Sequence, residues 1–187
     1  MTPAVEEKPH VKNVPPVLEE PQVQQVLARV KKVRDEENGI TWYYNKNISH
    51  YVFKNSLEAY VGESDAGDVW LRLRIYYNGE KMLEIDNYEV YADDQIYTIS
   101  VLTGNIERGK GVKGAWEWFD MQATEKEIAM ISRLMNAERA VIRYIGKNGV
   151  FERAVGELEK LRLEYMLQLY RILTREQTLL TSNTGRK

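Results

Sequence analysis

The clearest alternation of hydrophobic and polar residues runs over residues 69–77. One parity holds Val69, Leu71, Leu73, Ile75 and Tyr77, and the other holds Trp70, Arg72, Arg74 and Tyr76. Strict period-2 alternation predicts a β-strand with one face in a core and a wetter opposite face. Asn78-Gly79 follows and favours a tight hairpin. The pattern predicts an antiparallel meander in which residues 82–91 return beside this strand and residues 95–102 follow a turn at Asp93-Asp94.

Helical spacing of apolar residues marks three further segments. The first ends near Leu27 and is followed by a hairpin across Asn38-Gly39. The second lies near residues 124–137, where Thr124 and Glu127 form a capping-box pattern. The third covers about residues 154–174, with an apolar stripe of Leu158, Leu161, Tyr165, Leu169 and Ile172.

Shorter runs of β-branched and aromatic residues predict strands at 40–44, 57–61, 115–119 and 140–145, with Gly62 and Gly146 ending two of them. The glycine-rich basic segment 104–114 is predicted to be a mobile loop. Strands dominate and are joined by hairpin turns, so the fold class is mainly β (α+β). We expect an antiparallel β-sandwich-like domain with a helix near residues 124–137 and a C-terminal helix packed on a sheet face or edge.

All five prolines fall between Pro3 and Pro21. Proline fixes φ and lacks an N–H, so this stretch predicts an extended, semi-rigid spacer. The predicted organisation is a tether at 1–21, a single globular domain at 22–180 and a frayed tail at 181–187.

Composition narrows the possible functions. The chain has 26 basic and 28 acidic residues, a net charge of −2, so no basic excess points to nucleic acid. It has no cysteine, which excludes disulfides and thiolate metal sites. No apolar run approaches the roughly 20 residues of a membrane span. The polar N-terminus predicts no signal peptide, although it is also what remains after an export signal is removed. A membrane is expected only through such a removed N-terminal anchor.

Few residues suit catalysis or metal binding. His10 and His50 are the only histidines, and a triad of His50 with the adjacent Ser49 is not expected. The acidic stretches at 65–68 and at Asp93-Asp94 could bind calcium, but solvated turns are the preferred interpretation. The stretch 109–114 lacks the spacing and following helix of a phosphate-binding loop. We therefore predict no catalytic residue, no metal and no cofactor.

One carboxylate lies in an aromatic setting. Glu117 stands between Trp116 and Trp118, an arrangement that could serve a glycosidase with a second acid, and Glu84 and Asp86 form another candidate pair. The preferred interpretation is that Glu117 pairs with an arginine, such as Arg72, Arg74 or Arg143.

The polar parity of the 69–77 strand provides the candidate ligand site. Trp70, Arg72, Arg74 and Tyr76 could stack on a sugar, a base or a peptide if their face is open. The C-terminal helix could instead cover them, and its long apolar stripe makes this the favoured interpretation. The full set of candidate ligand-binding residues is Trp70, Arg72, Arg74, Tyr76, Trp116, Glu117 and Trp118.

Several aromatic strings carry a family resemblance. Thr41-Trp42-Tyr43, Trp70-Leu71-Arg72-Leu73, Trp116-Glu117-Trp118-Phe119-Asp120 and residues 140–146 resemble a group of small bacterial exported proteins, often predicted lipoproteins. The resemblance covers about residues 30–173. It implies a cell-envelope or extracellular location and a polar spacer before the domain, and it implies no activity. The sequence has no cysteine for lipid attachment, and we expect no signal segment of the kind found in that group.

Three functions are compatible with these features. The first is a non-enzymatic envelope or surface module that binds a protein or glycan partner. The second is a glycan-acting hydrolase that uses Glu117 and another acid. The third is an intracellular or virion assembly subunit, which would place the chain in the cytoplasm. The surroundings of Glu117 discriminate the first two, and the oligomeric state stays open.

Overall fold

The computed structural model describes residues 20–46, 54–111 and 114–184, with the side chains of all these except residues 20 and 176–184. These ranges contain ten strands and three α-helices, and a short 3-10 helix at Val101–Thr103 follows the sixth strand. Their bounds are α1 Glu20–Ala28, β1 Val30–Asp35, β2 Ile40–Asn45, β3 Ser56–Ser64, β4 Val69–Gly79, β5 Ile85–Ala92, β6 Gln95–Ser100, β7 Asn105–Gly111, β8 Gly114–Gln122, α2 Glu125–Leu134, β9 Ala140–Gly146, β10 Gly149–Ala154 and α3 Glu157–Thr184.

The strands form two antiparallel sheets. The larger sheet has the order β1-β2-β3-β4-β8-β7, and the smaller has the order β10-β9-β5-β6. Every strand pair in both sheets is antiparallel. The prediction of a mainly β, sandwich-like α+β fold with a C-terminal helix is confirmed.

Strand β4 is central to the larger sheet and its two faces differ as its alternation predicts. Leu71, Leu73 and Ile75 are at most 1% exposed, because they face the core. In register, Ile75 lies between Leu57 of β3 and Phe119 of β8, so apolar residues of three strands share one layer. The opposite parity of β4 lies outside this hydrophobic cluster.

Aromatic rings fill the space between the sheets. Tyr77 of β4 packs against Tyr144 and Phe151, with ring centroids 5.9 and 5.6 Å apart. Tyr88 of β5 packs against Phe119 of β8 at 5.5 Å. Because both sheets contribute rings to one layer, burial of these large apolar surfaces holds the sheets together.

The helices close the remaining part of the core. The capping box of Thr124 and Glu127 is present at the start of α2, as predicted. Helix α3 packs on α2 and on the inner face of β3 and β4. Its buried apolar side chains are Leu163, Met166, Leu167, Leu169 and Ile172.

The predicted apolar stripe of the last helix is partly wrong. Leu158 and Leu161 are 57% and 38% exposed, whereas Leu169 and Ile172 are buried. Residues 149–154 form β10 beside β9, so the helix begins at Glu157 and not near Ala154. Its first two turns therefore present these leucines to solvent, and the buried apolar side chains of the helix begin at Leu163.

The predicted meander from residue 69 to residue 102 is also wrong in its first step. Strand β4 pairs with β3 and β8, while β5 belongs to the smaller sheet. Gly79 lacks the positive φ of a tight hairpin turn, and the chain instead crosses between the sheets, with Glu84 at φ 54°. The second half of the prediction is confirmed, since β5 and β6 form a hairpin around Asp93-Asp94.

Three local predictions need correction. Strand β3 continues through Gly62 to Ser64, because Gly62 pairs with both Trp42 and Trp70. Most of the segment predicted as a mobile loop is strand β7, which pairs with β8 along its whole length. Strand β10 was not predicted at all. In each case a neighbouring strand supplies the hydrogen bonds, although the local glycine or polar residues have low strand propensity.

The predicted tether lies mostly outside the described residues, which begin with α1 at Glu20. Pro21 is in the first turn of that helix, a position where its missing N–H costs nothing. At the other end α3 continues to Thr184, and residues 185–187 are outside the description. No helix in the described ranges is long and apolar enough to cross a membrane.

Docking of α3 can be tested with two leucines of the same helix. Leu167→Ala removes a fully buried side chain and should lower the free energy of unfolding by about 2–5 kcal/mol. The matched control Leu161→Ala changes a side chain that is 38% exposed and should cost less than about 1 kcal/mol. Urea denaturation followed by circular dichroism measures both. Equal losses in the two variants would contradict this docking of α3.

Candidate functional site

The outer face of the larger sheet gathers the aromatic and charged residues of its strands. The register places Tyr60 opposite Arg72, Arg74 opposite Asp120 and Tyr76 opposite Trp118. We call this surface the aromatic face. Its members are Trp42, Tyr60, Trp70, Arg72, Arg74, Tyr76, Trp116, Trp118 and Asp120.

Asp120 is the electrostatic centre of the aromatic face. Its carboxylate accepts hydrogen bonds from Tyr60 Oη at 2.6 Å, from Arg72 Nε at 2.7 Å and from Arg74 Nε at 2.8 Å. Asp120 is 4% exposed and Tyr60 is 6% exposed. The two arginines occupy adjacent outward positions of β4, and the single buried acid that both of them bind offsets part of their mutual repulsion.

The pKa values on this face respond to the same network. Burial raises the pKa of Tyr60, and its hydrogen bond to Asp120 raises it further. Burial alone would lower the pKa of Arg74, but Tyr60, Tyr76 and Asp120 hold it above its usual value. Burial also raises the pKa of Glu58, which lies opposite Arg74 on β3. The arginines and Tyr60 therefore keep their protons across the physiological range.

Arg74 lies between two rings. Its guanidinium carbon is 4.6 Å from the ring centroid of Tyr60 and 5.1 Å from that of Trp118. Tyr76 stacks on Trp118 with centroids 6.2 Å apart and planes 24° from parallel. Cation–π attraction and ring stacking keep these side chains in fixed orientations, so the surface is ordered before any ligand arrives.

Two tryptophans lie flat on glycines of neighbouring strands. A Cβ built on Gly62 would be 2.5–2.7 Å from Cε2, Nε1 and Cζ2 of Trp70. A Cβ on Gly109 would be 2.4–2.9 Å from the same three atoms of Trp116. Near-equal distances to three atoms that span both rings of the indole mean that the indole face covers the glycine. Each indole thus presents its other face away from the sheet.

Trp42 stands at a steep angle beside this flat ring. It faces Gly62 in register, and its plane is 86° from that of Trp70 with centroids 5.8 Å apart. Because the indole of Trp70 lies flat on the sheet, the indole of Trp42 stands nearly perpendicular to the sheet beside it. Both residues remain partly exposed.

The expectation that the C-terminal helix covers Trp70, Arg72, Arg74 and Tyr76 is wrong. All four are partly exposed, and α3 instead packs with the opposite parity of β4. The apolar side chains of α3 share one hydrophobic cluster with the leucines and the isoleucine on the inner face of β4. The hydrophobic effect favours that choice, because the inner parity offers apolar surface without charges.

Glu117 points to the other side of the sheet. It is fully buried, and its carboxylate accepts hydrogen bonds from the backbone N–H groups of Leu83, Glu84 and Ile85 at 2.7, 3.0 and 2.8 Å. Arg108 Nε donates a further bond at 2.9 Å. Six of the seven candidate ligand-binding residues therefore share one face, and Glu117 does not belong to it.

Glu117 pairs with an arginine, but with a different one from the three that the sequence suggested. Arg72 and Arg74 bind Asp120, and Arg143 binds Glu89 and Glu152. Arg108 reaches Glu117 because β7, predicted as a loop, is the strand next to β8. Arg108 also donates to the carbonyl of Ile85, so it joins the same crossing between the sheets.

Sequence reasoning missed three members of the aromatic face: Trp42, Tyr60 and Asp120. Tyr60 and Trp42 lie on strands that the sequence predicts, and their outward parity could have been read from the buried neighbours Val61 and Tyr43. Asp120 has the parity of Trp116 and Trp118, which is the only local signal for it. Its two arginine partners are far away in sequence and only strand register brings them together.

The other candidate groups have separate places. His10, Ser49 and His50 lie outside the described residues. Asp65 accepts a hydrogen bond from Arg34 at 2.8 Å, and Asp93 caps the N–H of Arg139 at 3.0 Å. Within the described ranges, no three histidine or carboxylate side chains converge as metal ligands would.

Comparison with known proteins adds no relative: no family model, no curated protein and no solved structure matches this chain.

A first test concerns the buried carboxylate. Glu117→Gln replaces an acceptor of four hydrogen bonds by an amide whose NH₂ faces N–H donors, and it leaves Arg108 without its acid. We expect the free energy of unfolding to fall by about 3 kcal/mol or more. The control Glu84→Gln alters an adjacent carboxylate that is 46% exposed and should stay within about 0.5 kcal/mol of the wild type. Chemical denaturation measures both variants. Coincident unfolding curves for Glu117→Gln and the wild type would contradict a structural role for Glu117.

A second test concerns the seat of Trp70. Gly62→Ala places a methyl group inside the contact distance of the indole, so the ring must move and the stability should fall by about 1–3 kcal/mol. Gly156→Ala is the control, since nothing lies within 4 Å of that Cβ position. We expect a shift of tryptophan emission to longer wavelength for Gly62→Ala alone. Unchanged emission and stability in that variant would show that the ring does not rest on the glycine.

Proposed function

We propose that this protein is a non-enzymatic binding module of the cell envelope or cell surface, and that the aromatic face is its binding surface. The observation that carries the proposal is the ordered, partly exposed array of indoles and guanidinium groups around buried Asp120. Tryptophan, tyrosine and arginine are the residues that dominate binding energy at recognition surfaces.

The charges of this array support a binding role. A buried acid with two arginines costs desolvation energy, and apolar residues at the same positions would give equal or greater stability. An outward sheet face needs no such network for folding. Because the rings are held by stacking and by the arginines, a ligand would pay little to order them on binding.

The hydrolase alternative requires Glu117 as a catalytic acid, and the surroundings of Glu117 do not suit that role. Glu117 has no exposed surface and its oxygens are engaged by backbone N–H groups and Arg108. General acid catalysis needs a carboxyl group within reach of the glycosidic oxygen.

The envelope location draws on the resemblance to exported proteins and on the proline-rich segment, which suits a spacer between an anchor and a domain.

Co-sedimentation with isolated bacterial envelopes tests the proposal. We expect the wild-type protein to pellet with the envelopes. The double variant Trp70→Ala/Trp118→Ala should remain in the supernatant, because it lacks an exposed indole on each side of Arg72 and Arg74. The matched aromatic control Tyr91→Ala, on the outer face of the smaller sheet, should pellet like the wild type. A wild type that does not pellet, or a double variant that pellets equally, would contradict the proposal.

A further inference from the structure

The two flat indoles lie far apart on the aromatic face, with Trp70 over Gly62 of β3 and Trp116 over Gly109 of β7. Trp70 is near the start of β4, and Trp116 is opposite Asn78 near its end. At ~3.3 Å per strand residue, β4 covers about 26 Å between residues 70 and 78. Tyr76 and Trp118 lie between these ends and closer to Trp116. A small ligand cannot touch both indoles, whereas an extended chain can.

Polar groups lie between the two indoles on β4 and β8. We call the part of the aromatic face between Trp70 and Trp116 the strip. Its centre holds Arg72, Arg74 and Asp120, so the strip lacks the continuous apolar centre of a protein–protein interface. An extended ligand on this surface must offer apolar patches that alternate with hydrogen-bonding groups. Pyranose rings have this character, because their C–H faces pack on aromatic rings while hydroxyl groups project from their edges.

Charge on the strip argues against nucleic acid. The positive Arg72 and Arg74 are accompanied by three carboxylates, Glu58, Asp120 and Glu107. Glu107 accepts a hydrogen bond from Trp118 Nε1 at 3.2 Å, so negative charge lies directly beside a stacking ring. A phosphate backbone needs an excess of positive charge, which this strip does not have. A ligand without net charge meets no such penalty.

We propose that the ligand of the aromatic face is an uncharged polysaccharide chain that runs obliquely across β4 and β8 and stacks on Trp70 at one end and on Trp116 and Trp118 at the other. This inference rests on the proposed function, because it names the ligand class of that same surface. Arg72, Arg74 and Glu58 border the path and supply donors and an acceptor for hydroxyl groups. Trp42 stands beside Trp70 and limits the path at that end.

Ligands of graded length provide the test. Neutral cello-oligosaccharides and chito-oligosaccharides of increasing length are titrated into the full chain by calorimetry. We expect affinity to rise with length until one chain reaches both indoles and then to level off. Trp70→Ala and Trp116→Ala should each weaken binding of the longest oligosaccharide about 3- to 10-fold, as loss of one stacking contact predicts. Tyr91→Ala should leave its affinity unchanged.

Conservative variants keep the test valid if an alanine variant is unstable. Trp70→Phe and Trp116→Phe retain a ring at each end, so they should bind more tightly than the corresponding alanine variants. Melting temperatures of all variants identify any that fail to fold, and for those the phenylalanine variants alone are compared with the wild type.

Three results would overturn the inference, and they differ from failure of the proposed function. If the protein pellets with envelopes through Trp70 and Trp118 but binds neither series of oligosaccharides, the surface binds another ligand class and the polysaccharide assignment is wrong. If oligosaccharides bind with an affinity that is independent of length or of both indoles, the extended path is wrong. Tighter binding of single-stranded oligothymidylate than of any oligosaccharide would also overturn it.

Discussion

The Glu117 carboxylate holds the crossing between the two sheets, and the arrangement of the remaining elements depends on that crossing. It lies on β8 of the larger sheet and accepts three consecutive N–H groups at the start of β5, which opens the smaller sheet. Those N–H groups lie where the chain leaves one sheet and enters the other. A buried carboxylate with four donors is stable only if all of them stay in place, so it selects one geometry for the crossing.

The same strand organises the outer surface through its other parity. Glu117 faces inward, and Asp120, three residues later, faces outward and collects Arg72, Arg74 and Tyr60. One acid therefore fixes the sandwich and the other fixes the aromatic face. Because both belong to β8 and pair with β4 in one register, a slip of that register would displace the core and the surface together.

Glycine has a specific role on this surface. Gly62 and Gly109 are the positions over which Trp70 and Trp116 lie, and any side chain there would occupy the space of the rings. Neither glycine ends its strand, although each was expected to mark a strand end or a loop. A glycine within a strand is often a place where another group approaches closely, and here the approaching group is an indole of the adjacent strand.

Much of the local structure was predictable, because it follows from interactions between close neighbours in sequence. The alternation over residues 69–77 gave the two faces of β4, and Thr124 with Glu127 gave the start of α2. The turn dipeptide at Asp93-Asp94 was read correctly, whereas Asn78-Gly79 was not, because β8 takes the place beside β4 that a hairpin would have filled. The spacing of apolar residues in α3 placed Leu161 in the buried stripe, whereas packing on the inner face of the sheet buries Leu167 and leaves Leu161 exposed.

The sequence by itself determined that the protein is mainly β, that its strands have one apolar and one polar parity, and where its helices lie. These properties depend on backbone preference and side-chain period, which are local. Only the tertiary structure decided that Glu117 is an internal anchor, that Asp120 joins two arginines and that six of the proposed ligand residues share one open face. Those features arise from strand register between distant segments, and in register a shift of one residue exchanges the inner and outer faces.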